Sequence, residues 1–106
     1  MIDVAIYDNG DFVIRNIGEE LIRENHKNIN FYFISEFGLE KNNYTILSER
    51  NKLHIKNSKM ILLTQEKSKE GIFLYQSKAR IKTEILNIVG EEIGRPRMEI
   101  VAAISP

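Results

Sequence analysis

The chain has 106 residues, 42% of them hydrophobic, with 15 basic and 15 acidic side chains and no cysteine. That length holds one domain with one modest core, and balanced charge excludes a global field drawing the protein to nucleic acid or anionic lipid. Without cysteine there are no disulfides, thiolate nucleophiles or cysteine metal sites, which suits a reducing compartment.

The N-terminus, Met1-Ile2-Asp3-Val4, has no basic region leading into an apolar stretch, so a signal peptide is not expected. No apolar run approaches the ~18 residues that span a bilayer. The expectation is a cytoplasmic, soluble domain without a membrane segment. Asp3 to Tyr7 is a short apolar run closed by Asp8-Asn9-Gly10-Asp11, the pattern of a strand buried on both faces. Val13, Ile14, Ile17, Leu21 and Ile22 then recur at helical spacing, with Asn9 or Asp11 as the cap and Asn25 to Asn28 as the end. Ile29 to Ser35 is rich in aromatic and β-branched residues and predicts a second strand. Strand, amphipathic helix, strand opens a βαβ unit with a parallel sheet.

Glu36 to Asn43 offers only a short turn of helix. Tyr44 to Glu49 predicts a third strand, and Met60 to Thr64 a fourth. The polar stretch Arg50 to Lys59, anchored by Leu53 and Ile55, fits an extended piece as readily as a helix. Gln65 to Gly71 leads to a fifth strand, Ile72 to Tyr75. Ser77 is the expected N-cap of a helix from Lys78 to about Val89, with Gly90 at the position after its end. Residues 91–97, charged and with Gly94 and Pro96 following Gly90, have linker composition. Met98 to Pro106 then reads as a new buried strand, the first of a further domain.

Five strands with helices at the first and last connections predict a flavodoxin-like, doubly wound α/β fold of order 2-1-3-4-5, with helices three and four shortened. Within it, V-A-I-Y-D-N resembles the acidic end of strand one in response-regulator receiver domains, and I-L-L-T, residues 61–64, resembles their fourth strand with its hydroxyl. Ile100 to Pro106 is similar to the strand that precedes the phosphate loop in MinD/ParA-type ATPases. A receiver-like domain followed by that strand resembles the CpaE-like family, receiver-bearing ATPases associated with bacterial pilus assembly. The resemblance implies a degenerate receiver over residues 1–90 and the start of an ATPase domain over 98–106. No G-x-x-x-x-G-K-[ST] occurs in the chain, so no ATPase chemistry, cofactor or enzymatic activity is expected of this segment.

Receiver phosphorylation needs a carboxylate nucleophile, a Mg²⁺ held by acidic groups, a hydroxyl and a lysine. On the matched positions, Asp8 keeps one carboxylate but its neighbour is Asn9. Ser48 stands at the nucleophile position with Glu49 beside it, and Thr64 supplies the hydroxyl. The lysine position falls on Tyr75 or Gln76. A serine forms no acyl phosphate and an unassisted hydroxyl is a poor nucleophile. Asp8, with help from Asp11 or Glu49, is the candidate for weak divalent binding, and the alternative function is a phosphorylatable receiver with these non-standard ligands. The plain reading of Asp8 to Asp11 is a strand-to-helix turn.

Other reactive residues lack partners. His26 sits at a helix end, His54 has no cysteine or second histidine near it, and no serine has a glycine elbow or evident base. Lys52, His54, Lys56 and Lys59 read as a solvated face, not a nucleic-acid site. The expected role is therefore protein interaction. The candidate face is Phe73, Tyr75, Ile85, Ile88 and Val89, on the fifth strand and last helix, with a protein partner, a second copy or the attached ATPase domain as its occupant.

Overall fold

Apolar runs become strands and 3.6-residue stripes become helices in the computed structural model, which describes residues 1–35, 42–51, 58–67 and 70–92. In chain order these are β1 (Ile2–Ile6), α1 (Phe12–Glu24), β2 (Ile29–Phe33), β3 (Tyr44–Ser48), a 3-10 turn (Glu49–Asn51), β4 (Lys59–Thr64), β5 (Ile72–Phe73) and α2 (Lys78–Glu92). All strand pairs are parallel and the sheet order is β2-β1-β3-β4-β5, a flavodoxin-like arrangement. The register sets Val4 beside Phe31 on one side and Tyr44 on the other, so β1 is an interior strand. No helix among the described residues is long and apolar enough to cross a membrane.

Both helices cover the same face. Ile14, Ile17 and Leu21 of α1 and Ile81, Ile85, Leu86 and Val89 of α2 pack with Ile2, Val4, Ile6, Phe31, Ile46, Ile61 and Leu63 in one core. Each such side chain contributes roughly 1.5–3 kcal/mol by leaving water. Strand alternation sends Ala5, Thr45, Leu47, Leu62 and Thr64 to the opposite face, where they are also buried. Gly18 lets α1 approach closely. A Cβ there would lie 2.9 Å from the tip of the Phe33 ring and 3.0 Å from Cδ1 of Ile6.

Capping fixes the helix ends. Asp11 Oδ1 accepts from the backbone N–H groups of Val13 at 3.0 Å and Ile14 at 3.2 Å, so Asp11 is the cap of α1. Asn9 is not a cap; it adopts a left-handed φ of 44° in the turn before it. Asn25, with φ of 53°, closes the other end, its N–H reaching the Ile22 carbonyl at 3.2 Å. Ser77 Oγ accepts from the Arg80 N–H at 3.2 Å and caps α2 as expected. Lys82 ties the helices together by donating to Glu20 Oε1 at 2.9 Å and to Glu24, while Lys78 reaches Glu20 at 3.1 Å. The Lys82 bond, then the Lys78 bond, hold the Glu20 carboxyl below its ordinary range. Lys82 and His26 do the same to Glu24, and the two carboxylates raise Lys82 in turn.

Several boundaries depart from the sequence expectation: β1 spans Ile2–Ile6 and not Asp3–Tyr7, β2 stops at Phe33 short of Ser35, and β4 starts one residue early at Lys59. β5 ends at Phe73 and does not reach Tyr75, because its partner Thr64 is the last residue of β4 and leaves Tyr75 nothing to pair with. Glu49 belongs to the 3-10 turn rather than to β3. Gly90 lacks the positive φ that would stop a helix, so α2 continues to Glu92. Glu91 and Glu92 are therefore helical, not linker. Between β3 and β4 only the 3-10 turn is helical among the described residues, and between β4 and β5 nothing is, in keeping with shortened third and fourth helices. The rest of the expected linker, the strand 98–106, the turn 36–41 and the stretch 52–57 with Lys52, His54 and Lys56 lie outside the described residues.

Candidate functional site

The sheet order brings the carboxyl ends of β1, β3 and β4 to one rim, where Asp8, Ser48 and Thr64 stand. The groups at this rim bind one another's backbone. Asp8 Oδ1 accepts from the Gly10 N–H at 3.3 Å, and the Asp8 carbonyl accepts from the Asp11 N–H at 2.7 Å. Gly10, with φ of 82°, makes that turn possible. The Asn9 amide donates to the Asn51 side-chain oxygen at 2.9 Å, joining the turn after β1 to the turn after β3. Buried Ser48 Oγ accepts from the Arg50 N–H at 3.2 Å. Thr64, also buried, donates its hydroxyl to the Glu66 carbonyl at 2.7 Å. Glu49 is exposed, and Asp11 is occupied with its cap. Among the described residues no three histidine, aspartate or glutamate side chains converge as a metal site.

Tyr75 and Gln76 do not complete that rim. Gln76 donates to Glu84 of α2, which turns this corner outward. The result is an open groove of about 700 Å³ lined by Lys67, Gly71, Phe73, Tyr75, Gln76, Arg80 and Glu84. The Phe73 and Tyr75 rings meet edge to face at 5.7 Å, and Tyr75 is 65% exposed. Lys67 Nζ lies 5.7 Å from the Phe73 ring centre, a cation–π contact. Gly71 makes the wall thin: a Cβ there would fall 2.5 Å from Thr64 Cγ2 and 3.0 Å from the Leu62 carbonyl.

The expected interaction face therefore divides. Phe73 and Tyr75 line the groove and Ile88 is 37% exposed, but Ile85 and Val89 are fully buried in the core. They point to the sheet because both lie on the stripe begun by Ile81, and so cannot meet a partner. Lys67, Arg80 and Glu84 were not singled out from sequence. Their meeting depends on where Lys67 comes to lie over Phe73, which residue type alone does not announce. His26 lies with Nε2 3.0 Å from Glu24 and its ring edge-on to Phe31 at 5.9 Å, a packing role at the end of α1.

No family model matches this chain, and neither the curated proteins nor the solved structures contain a match to it.

Proposed function

We propose that this domain is a non-catalytic regulatory module, a receiver-like fold that docks a protein partner through the groove between β5 and α2. The carrying observation is that groove: an exposed aromatic pair flanked by Lys67 and Arg80, with its carboxylate Glu84 already engaged by Gln76. Neither cation has a carboxylate partner among the described residues, so the groove suits an acidic segment. The rim at Asp8 supports the same reading from the other side, because Asp8, Asp11 and Ser48 each accept from a turn backbone N–H and Ser48 stands where an acyl phosphate would require aspartate. In this reading the domain regulates an attached MinD/ParA-type ATPase domain, in pilus assembly or protein localisation. A glycine-rich loop with its lysine encoded directly after Pro106 is the expected finding for that attachment.

The test is incubation with acetyl phosphate and Mg²⁺ followed by intact mass. No added phosphoryl mass is expected. A phosphoryl adduct abolished by Ser48→Ala or Glu49→Gln would establish the phosphorylatable receiver instead. Titrating isotope-labelled protein with an Asp/Glu-rich extended peptide should shift the amides of Lys67, Tyr75 and Arg80. Shifts confined to Asp8–Asp11 would remove the groove from consideration.

A further inference from the structure

The opposite edge of the sheet carries a second, independent surface. Among the described residues β2 is the terminal strand, and its sequence, Ile-Asn-Phe-Tyr-Phe, contains no charge and no proline, the usual devices that protect an edge. Its inner side is fixed by the ladder to β1: the Ile2 N–H reaches the Asn28 carbonyl at 2.9 Å and the Ile34 N–H the Ile6 carbonyl at 3.0 Å. Parallel alternation then directs the N–H and C=O of Phe31 and Phe33 outward. The Ile29 N–H is already turned back to the His26 carbonyl at 3.4 Å, so those two residues define the usable edge.

Apolar side chains flank it. Phe33 is 39% exposed, and its ring rests on the open flank of Gly18. Ile22 lies one helical turn beyond Gly18 on the same stripe, which places it on the β2 side of α1, and it is 41% exposed. The charged neighbours on that helix, Arg15 and Glu19, neutralise each other at 3.3 Å.

We infer that β2 pairs antiparallel with β2 of a second copy of this chain, joining two sheets across a two-fold axis. A strand without charge meets no like-charge repulsion from its own copy, and an isologous contact needs only this one patch. Phe31 exchanges backbone hydrogen bonds with Phe33 of the second copy, and Phe33 with Phe31 of it, while Phe33 and Ile22 cover one another across the seam. Five residues of strand and one flank of a helix fall at the small end of specific interfaces, below about 1,200 Å² in total. The dimer is therefore weak and concentration-dependent.

Sedimentation of the full chain from about 10 µM to about 1 mM, a span suited to weak association, should show monomer passing to dimer. Hydrogen exchange at the Phe31 and Phe33 amides should slow over the same range. Phe33→Lys and Ile22→Lys should each weaken association about tenfold or more, which corresponds to at least 1.4 kcal/mol. Ile22→Lys alters an exposed helix position and keeps the test valid should the strand variant fail to fold. A chain that stays monomeric throughout overturns the inference. So does a dimer that survives both variants and dissociates with Tyr75→Ser, since the contact would then lie in the groove.

Discussion

Two corners of the same sheet, separated by β4, treat their polar groups in opposite ways. At the ends of β1 and β3, Asp8, Asn9, Asp11 and Ser48 each satisfy a neighbouring backbone or amide group, so the rim closes on itself. At β5 and α2, Lys67 and Arg80 stand beside an exposed aromatic pair and leave charge for an outside partner. Chemistry-bearing residue types are thus a poor guide to a site by themselves. What matters is whether the fold has already spent their hydrogen bonds.

The sharpest division of this contrast is between core and surface within α2. Ile85→Ala should cost about 2–5 kcal/mol, as a buried truncation does, seen as a lower urea midpoint. An unchanged midpoint with altered partner binding would return Ile85 to the interaction face. Next, Gly71→Ala should cost about 1–3 kcal/mol, because backbone at Leu62 must give way. It should also broaden the Phe73 and Tyr75 resonances while leaving those of Asp8–Asp11 in place.

Asp11→Ala should cost about 0.5–2 kcal/mol through the lost cap of α1, measured by thermal unfolding. Arg80→Ser, at the exposed groove, should stay within about 0.5 kcal/mol while weakening the acidic peptide. Equal stability losses for both would erase the distinction between a closed rim and an open groove.

The smallest effect is expected from pH. Glu20 and Glu24 have lowered folded-state pKa values, so their contribution is complete above the ordinary glutamate value of about 4.3 and is lost as pH falls through the folded values. Melting temperature should decline modestly on acidification below about pH 4, and Lys82→Met should flatten that decline. The cluster is only partly buried, so high salt should blunt it as well.

The strands and both helices were legible because each strand is a short run rich in apolar or β-branched residues and each helix a periodic stripe. The order followed from the flavodoxin-like pattern they match. The cap of α1 stayed open between Asn9 and Asp11 since either side chain accepts a hydrogen bond; backbone conformation at Asn9 decides it. Gly90 carries a stop signal in sequence that tertiary packing of Val89 overrides. Ile85 and Val89 looked surplus to a single stripe, yet the core takes them both. The groove was half visible: Phe73 and Tyr75 stand out by residue type, whereas Lys67 and Arg80 are ordinary lysine and arginine until a turn brings them together.

The all-parallel ladder also sets an order of assembly. No neighbouring pair is a hairpin, so every pairing waits for a stretch of chain to close, at an entropic cost that grows with its length. Leu63 with Ile72 is the nearest pairing in sequence, and Val4 with Tyr44 the most distant. The corner that bears the groove can therefore form locally and early, while joining the central strands is the slow, nonlocal step that governs the folding rate.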